Sequence, residues 1–200
     1  MTEGNADEHD DHGHEHEEGH GHHHDDIETL GVSVVTISST RSLDDDPSGD
    51  AIVSACTDAG HDVVHRELVP DDHDRIQSIV GQLSKRDDTD IVVTTGGTGV
   101  SPDDVTVEAV DRLFAKRLPG FGELFRRLSY DEVGTRVVGT RATAGIVEGI
   151  PVFCLPGSTA AVRLGVREAV LPEAPHLAGL ARHDDDEESD EESRDDSPET

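Results

Sequence analysis

The stretch that decides the fold is VVTTGGTGVSPDDVTVEAV, residues 92–110. Its β-branched start predicts a buried strand, and the glycines of GGTG predict a sharp turn directly after that strand. Pro102 and the valines behind it, at helical spacing, predict a helix that starts near the proline. A strand, a glycine turn and a helix in this order present backbone amides and the positive end of a helix to an anion. The stretch therefore favours a phosphate-binding turn, with a tight turn that holds no ligand as the alternative.

Two well-known phosphate-binding motifs do not fit this turn. A P-loop requires a Gly-Lys pair followed by Ser or Thr, and the stretch contains no lysine. A dinucleotide-binding turn requires a third glycine at the position where Pro102 stands. The turn is therefore expected to act through its backbone amides and without a lysine.

Strand and helix patterns alternate along the middle of the chain. Short β-branched runs predict strands, and apolar residues at helical spacing predict helices. The predicted strands are 31–37, 61–69, 90–95, 136–140 and the start of 150–171, and the predicted helices are 50–60, 70–86, the end of 92–110, 118–134 and the end of 150–171. We expect an α/β fold, a three-layer sandwich with a mostly parallel central sheet, whose ligands bind at the carboxyl ends of the strands.

The two ends of the chain differ in composition from its middle. Residues 1–28 hold 11 of the 45 acidic residues and eight of the 13 histidines without any Lys or Arg, and residues 184–200 hold 11 acidic residues with one arginine. Such segments cannot bury enough apolar surface to offset the entropy of ordering. We therefore predict a disordered His- and acid-rich arm at 1–28, one domain at 29–183 and a disordered acidic tail at 184–200.

Charge and residue usage indicate the cellular setting. The chain has a formal net charge of −29 and only two lysines against 14 arginines, which favours a halophilic, haloarchaeal protein over an ordinary acidic one. No basic stripe indicates nucleic-acid binding, and no long apolar run indicates a membrane span. No secretory signal is visible, and Cys56 and Cys154 are expected to be reduced core residues. The predicted location is the cytoplasm.

The histidine-rich part of the arm is HDDHGHEHEEGHGHHHDD at 9–26, which offers many imidazoles to Zn²⁺, Ni²⁺ or Cu²⁺. Its spacing matches no regular zinc motif, so a single rigid site is not expected. Two interpretations stay open. One is a solvated acidic arm with incidental metal affinity, and the other is an arm that buffers metal ions.

Several separate motifs together resemble the MoaB/MogA family, the molybdopterin-binding proteins of molybdenum cofactor biosynthesis. They are TTGGTGVSPDDVTVEA, SSTRSLDDDPSGDAI, GFGELFRRLSYDEVGTR, RATAGI and LPGSTAAVRLGVREAVLPE, all within residues 31–180. The resemblance implies the MoaB/MogA-like molybdopterin-binding fold and a molybdopterin adenylyltransferase, which converts molybdopterin and Mg·ATP to adenylyl-molybdopterin and pyrophosphate. The nucleophile would be the terminal phosphate of molybdopterin, so no activated serine or cysteine is needed.

The resemblance also implies site residues. Asp104, in the pattern GGTG-x4-D-x-T, and Asp71, in LVPDD, match the family's functional aspartates and would be catalytic and Mg²⁺-binding, since Mg²⁺ prefers carboxylates together with phosphate oxygens and water. An aspartate at the start of a helix is the alternative for each, and helix capping is the alternative for Ser158. The residues implied to bind ATP or molybdopterin are Gly96, Gly97, Thr98, Gly99, Ser101, Arg141, Thr143, Gly145, Gly157 and Ser158.

Two positions depart from the family pattern: Ser39 stands where many relatives have Asp or Asn, and Pro47 stands where they have Thr. An alternative function is a non-catalytic molybdopterin-binding homologue with a metal-binding His arm, but the presence of both Asp71 and Asp104 favours the enzyme. A molybdate-insertion enzyme is a third hypothesis, disfavoured because such enzymes carry further domains. The resemblance implies a homotrimer or hexamer, and a hand-off of product to the molybdate-insertion enzyme.

Overall fold

A six-stranded sheet with helices on both faces forms the core of the protein, in a computed structural model that describes residues 26–182. The strands are β1 (Gly31–Ile37), β2 (Asp62–Val69), β3 (Ile91–Thr95), β4 (Lys116–Arg117), β5 (Thr143–Val147) and β6 (Ile150–Leu155). Their order is β2-β1-β3-β6-β5-β4. Strands β2, β1, β3 and β6 run parallel to one another. At the remaining edge, β5 runs antiparallel to both of its neighbours, β6 and β4. The predicted α/β fold with a mostly parallel sheet is confirmed.

Helices on each face of the sheet bury a separate apolar core. They are α1 (Pro47–Asp58), α2 (His73–Leu83), α3 (Thr106–Asp111), α4 (Pro119–Val133) and α5 (Thr159–Gly165), with a 3-10 helix at Gly134–Gly139, a π-helical turn at Val166–Val170 and further helix at 174–182. α1, α4 and α5 pack on one face around Phe125 and Phe153, and α2 and α3 pack on the other around Ile76 and Val110. β1, β3 and β6 are buried at every residue, as expected for parallel strands between two helical layers.

The helix behind the glycine turn begins at Thr106 and not near Pro102. The reason is local: the Asp104 carboxylate accepts the backbone N–H of Ser101 at 2.8 Å, and the N–H of Asp104 donates to the Ser101 carbonyl at 3.1 Å. These two bonds close a turn, a common alternative to helix for aspartate. The chain then returns to the glycines, where the Thr106 hydroxyl donates to the Gly96 carbonyl at 2.9 Å.

The prediction of a strand at 136–140 is wrong, because residues 136–139 lie in the 3-10 helix Gly134–Gly139 and Thr140 belongs to no strand. Gly134 is the C-cap of α4 with a φ of 58°, a conformation that favours glycine. Val138 is 84% exposed, so the segment has no buried face that could join a sheet. Its valines are typical of a strand in composition, but they are not buried as the residues of the central strands of this sheet are.

β5 is a strand that the sequence patterns did not predict. It pairs with β6 through a two-residue turn at Glu148 and Gly149, with Val147 opposite Ile150. Both turn residues have positive φ values, 49° and 74°, which is the geometry of a type I′ hairpin turn. This hairpin adds the antiparallel edge to the sheet.

The two cysteines are free and buried, as predicted. Burial raises the pKa of the Cys56 thiol to about 11 and that of Cys154 to about 12, so both stay protonated near neutral pH. Within residues 26–182 no helix is long and apolar enough to cross a membrane. Residues 1–25 and 183–200 lie outside the described residues, so the metal-binding arm and the acidic tail stay predictions.

Candidate functional site

A cavity of about 630 Å³ opens at the carboxyl ends of β1, β2, β3 and β6. This is the edge at which open α/β sheets bind ligands, because the loops of neighbouring parallel strands meet there. The predicted site residues that line the cavity are Asp71, Gly96, Gly97, Thr98, Gly99, Asp104 and Gly157. Residues far apart in sequence, from the loops behind β2, β3 and β6, are thus brought together.

The glycine turns behind β3 and β6 meet at this cavity. Gly96 and Gly97 have φ values of 106° and 63°. A Cβ on Gly96 would lie 2.2 Å from the Ile37 carbonyl oxygen, and a Cβ on Gly97 would lie 2.3 Å from the Thr106 hydroxyl. A Cβ on Gly157 would lie 3.2 Å from Cα of Gly96. Since only glycine adopts the first two conformations beside such close neighbours, the turn brings backbone rather than side chains to the cavity.

Asp104 is held in its ionised form within the turn. Burial opposes ionisation, but hydrogen bonds from the Ser101 side chain and backbone and from the Gly99 backbone, together with the charge of Arg141, lower the pKa of Asp104 below its ordinary value. The carboxylate therefore carries its negative charge at any pH near neutrality. It lines the cavity with a negative charge, which suits a bound cation.

Asp71 approaches the same cavity from the loop behind β2 and is held by Ser39. One Asp71 oxygen accepts both the backbone N–H and the hydroxyl of Ser39 at 2.8 Å. The Asp71 N–H in turn lies 3.1 Å from the Ser39 hydroxyl. The residue that departs from the family pattern thus orients the Asp71 carboxylate and adds no charge of its own beside it.

The oxygen donors of the cavity suit Mg²⁺. Asp71 and Asp104 supply two hard carboxylates, and Mg²⁺ is commonly held by one or two carboxylates while phosphate oxygens and water complete its coordination. Within residues 26–182 no group of three or more His, Cys, Asp or Glu residues is arranged to hold a metal ion. A substrate's phosphates would therefore have to supply several of the ligands.

Arg141 lies behind the glycine loop and does not line the cavity. Its backbone N–H donates to the Thr98 carbonyl at 3.0 Å, its Nε to the Gly99 carbonyl at 2.7 Å and its Nη2 to the Asp104 carbonyl at 2.8 Å. Its Nη1 also pairs with Glu108. Three bonds thus attach Arg141 to the loop that carries Asp104, and the fourth attaches it to α3.

The other four predicted residues also lie outside the cavity lining. Ser101 closes the turn with Asp104. Thr143 and Gly145 belong to β5, where a Cβ on Gly145 would lie 2.4 Å from the Phe114 ring. Ser158 is the N-cap of α5 and accepts the Ala161 N–H at 3.4 Å. It lines a smaller neighbouring cavity of about 230 Å³.

The cavity also contains two cations that the sequence analysis did not single out. Arg41 comes from the loop behind β1, and Arg136 comes from the 3-10 helix that was predicted as a strand. Both lie within motifs that carried the family resemblance, SSTR and YDEVGTR, which was the only signal for them in the sequence. Their positions beside two aspartates became visible only with the fold.

Comparison with known proteins supports one family throughout. The family described as probable molybdopterin binding domain matches residues 33–176. The molybdenum cofactor biosynthesis protein B of Bacillus subtilis is 42% identical over 152 residues, which cover 76% of this chain and 89% of that protein. The protein of the same name from Staphylococcus epidermidis is 44% identical over 155 residues, which cover 74% and 86%.

Solved structures agree with the sequence comparison. A crystal structure of a molybdenum cofactor biosynthesis protein B superposes with a TM-score of 0.75 at 40% identity, covering 78% of this chain and 97% of that chain. The tungsten cofactor synthesizing protein MoaB from Pyrococcus furiosus superposes with a TM-score of 0.70 at 38% identity, covering 78% and 99%. The fold predicted from the motifs is that of these proteins.

Proposed function

This chain belongs to the family of probable molybdopterin binding domains, and from that membership we propose that it is a molybdopterin adenylyltransferase. Its place is in molybdenum cofactor biosynthesis, as for the relatives named molybdenum cofactor biosynthesis protein B. The proposed reaction joins the terminal phosphate of molybdopterin to the adenylyl group of Mg·ATP and releases pyrophosphate.

One observation carries the proposal: Asp71 and Asp104 line the same cavity as the glycine turn. Phosphoryl-type transfers depend on the alignment of phosphates and the neutralisation of charge more than on covalent chemistry by the protein. The cavity offers groups for both tasks, namely backbone at Gly96 and Gly97 and two carboxylates for a cation. Both cysteines of the chain are buried and protonated, so neither is available as a nucleophile.

The proposed step needs no base from the protein. An anionic oxygen of the terminal molybdopterin phosphate attacks the α-phosphorus of ATP. A phosphorus–oxygen bond forms there as the bond from the α-phosphorus to the oxygen bridging to the β-phosphate breaks, and pyrophosphate leaves with that electron pair. The glycine turn and its neighbouring hydroxyl, Thr98, would bind the phosphates and hold the attacking oxygen in line with the leaving group.

Mg²⁺ would be held by Asp71 and Asp104, and when bound it would neutralise charge on the phosphates. Ser39 and Ser101 would act through these aspartates, because each donates hydrogen bonds that orient a carboxylate. Arg141 would act on the loop in the same indirect way. Among the remaining predicted residues, Gly157 and Ser158 follow β6, while Thr143 and Gly145 belong to the neighbouring strand β5. We place the molybdopterin end of the ligand on this side.

The proposal is tested by incubating the full chain with molybdopterin, ATP and Mg²⁺ in molar KCl and identifying products by mass spectrometry. We expect adenylyl-molybdopterin only when all three are present. Formation of the product without ATP or without Mg²⁺ would contradict the mechanism. Binding of molybdopterin without product would favour the non-catalytic homologue.

The proposal extends to assembly and location. We expect a cytoplasmic homotrimer or hexamer that passes adenylyl-molybdopterin to the molybdate-insertion enzyme. Family resemblance supports this expectation. Light scattering in molar KCl would test the assembly, with three or six times the mass of one chain as the expected result and a monomer as the contrary one.

A further inference from the structure

Arg41 is a cation of the cavity to which the family resemblance assigns no role. It lies in the loop after β1, and 33% of its side chain is exposed. The Ser38 hydroxyl accepts the backbone N–H groups of Thr40 and Arg41 at 3.3 and 3.2 Å, which fixes this loop. Within residues 26–182 the guanidinium donates one hydrogen bond, from Nη1 to the Ser48 hydroxyl at 3.1 Å. Its Nε and Nη2 donors therefore remain available for a ligand.

Ser48 fixes the direction of the Arg41 side chain. Ser48 is fully buried, and its hydroxyl donates to the Gly157 carbonyl at 2.8 Å, which leaves its lone pairs to accept from Arg41. Gly157 is part of the second glycine turn at the cavity. Asp46 lies 3.8 Å from Nη1 of Arg41, but Asp46 already has a closer partner in Arg66 at 3.1 Å. The ion pair of Arg41 with Asp46 is thus the longer of the two that Asp46 makes, and it involves the same Nη1 that donates to Ser48.

The charged groups of the cavity come from opposite faces of the sheet. Asp71 and Asp104 precede α2 and α3, which cover one face. Arg41 precedes α1, on the other face, and is bonded to α1 through Ser48. A ligand bound across the strand ends would thus have the carboxylates and their cation on one side and a guanidinium on the other. Phosphate oxygens suit both partners.

We propose that Arg41 binds the polyphosphate of the nucleotide, at the phosphates that leave as pyrophosphate, and that Ser48 positions it. Asp71 and Asp104 would together balance the charge of one Mg²⁺ ion, so the negative charge of a polyphosphate would call for a further cation. Arg41 is one of the two cations that line the cavity, with Arg136, and its planar guanidinium can bind phosphate oxygens at two points. This inference rests on the proposed adenylyltransferase function and adds a ligand residue to it.

The test is calorimetric binding of magnesium pyrophosphate to the full chain, without molybdopterin, for wild type and four variants. We expect Arg41→Gln to weaken binding at least about tenfold and Arg41→Lys less, because lysine keeps the charge but not the planar donors. Ser48→Ala should fall between wild type and Arg41→Gln. Arg163→Gln is the matched control, since Arg163 is an exposed arginine on α5 outside this cavity.

Unchanged thermal unfolding would show that Arg41→Gln folds, and Arg41→Lys serves as the second variant if it does not. Pyrophosphate binding that is equal in wild type and both Arg41 variants, or absent from the wild type, would overturn the inference. The proposed function and the role of Arg41 can be refuted separately. A wild type that makes adenylyl-molybdopterin while Arg41→Gln binds pyrophosphate normally refutes only the role of Arg41. Arg41-dependent binding without any product refutes only the transferase.

Discussion

At the scale of single residues, two carboxylates are oriented by short-range bonds before any ligand arrives. Ser39 donates twice to Asp71, and Ser101 donates to Asp104. Such orientation lowers the reorganisation needed when charge develops in a transition state. The proposed activity should therefore depend on these two aspartates more than on any other acidic side chain of the neighbouring loops.

We expect Asp71→Asn and Asp104→Asn each to lower turnover by roughly 10²–10³-fold, because each removes one charge-stabilising group from the transition state. Steady-state kinetics at saturating Mg·ATP measure the loss. Asp74→Asn and Asp103→Asn are matched controls, since both are exposed aspartates that do not line the cavity. Near-normal turnover in both cavity variants would remove the basis for the proposed metal site.

Arg141 provides a second prediction, because its contacts favour a role in positioning the loop. We expect Arg141→Lys to lower turnover and to speed amide hydrogen exchange at Ser101 and Asp104 by about tenfold, since each charge-assisted bond lost to a loop carbonyl contributes about 1.5 kcal/mol. Glu108→Gln removes only the ion pair between Arg141 and the partly exposed Glu108. It should leave the exchange rates of the Ser101 and Asp104 amides nearly unchanged. A raised KM for molybdopterin with unchanged exchange would instead identify Arg141 as a molybdopterin ligand.

Some site residues could be predicted from sequence and others could not. The turn at the glycines of GGTG can be predicted from the sequence alone, because glycine is the residue that readily adopts the positive φ values of a sharp turn after a strand. Asp71 and Arg41 depend on which loops the sheet order brings together, and no local spacing encodes that order. Family resemblance alone predicts Asp71 as a site residue, and no feature of the sequence predicts a role for Arg41.

At the scale of elements, α1 is attached to the sheet by a buried ion pair at its first turn. Asp46 is the N-cap of α1 and accepts the Gly49 N–H at 2.9 Å, the Thr36 hydroxyl at 2.7 Å and Nη2 of Arg66 at 3.1 Å. Burial of Asp46 opposes ionisation, but these hydrogen bonds and the charge of Arg66 lower the pKa of Asp46 below its ordinary value. The loop that carries Arg41 connects β1 to α1, so its position depends on these bonds at the start of α1.

We expect Asp46→Ala to lower the free energy of unfolding by about 3 kcal/mol, because it removes the N-cap of α1 and leaves the buried Thr36 hydroxyl and one side of Arg66 without their acceptor. Since the folded-state pKa of Asp46 is lowered, its stabilisation is complete above the unfolded value near 3.8 and is lost as pH falls through the folded value. The difference between wild type and variant should thus be constant above about pH 5 and shrink below about pH 4. Denaturant unfolding across pH measures it.

Asp50→Ala is the control for that experiment, because Asp50 pairs with the same arginine while its side chain is 64% exposed. It should cost no more than about 1 kcal/mol, as is typical of exposed ion pairs. An equal loss in both variants, or a difference that grows on acidification, would show that the Asp46 pair does not anchor α1.

The elements that sequence reasoning missed have identifiable causes. The β5–β6 hairpin turns at Glu148 and Gly149, and a glutamate with positive φ lacks the Asn-Gly or Asp-Gly signal from which such turns are predicted. The start of α3 was misplaced because the side chain of Asp104 bonds back to Ser101, which diverts the chain from helix. The parallel strands and the longer helices were predicted correctly because their apolar patterns are long and match their burial.

At the scale of the whole molecule, the membership predicted from separate motifs is confirmed, while the meaning of the charge stays a prediction. Residues 29–183 hold 23 acidic against 15 basic residues, and the two ends add most of the net charge of −29. Like charges repel over long distances in dilute buffer and are screened within about 3 Å at 1 M salt. Phosphate recognition in molar salt would have to rely on short hydrogen bonds and a directly bound cation, for which the cavity offers the backbone of its glycine turn and two carboxylates.

We therefore expect folding and turnover both to rise with KCl into the molar range, with only a modest rise in substrate KM. Circular dichroism and turnover over one titration measure the effect. A chain without residues 1–25 and 183–200 is the control and should need less salt to fold, because it carries less net charge. Full stability and peak turnover in dilute buffer would contradict a halophilic adaptation.

The central claim is adenylyl transfer at the cavity of Asp71 and Asp104, and the fate of labelled ATP tests it most directly. The full chain is incubated in molar KCl with molybdopterin, Mg²⁺ and ATP labelled at either the α- or the γ-phosphate. Our account predicts that the α label moves into molybdopterin and the γ label into pyrophosphate, in equal amounts, and that Asp104→Asn slows both together. Release of the γ label as inorganic phosphate, or no movement of the α label in the wild type, would contradict it.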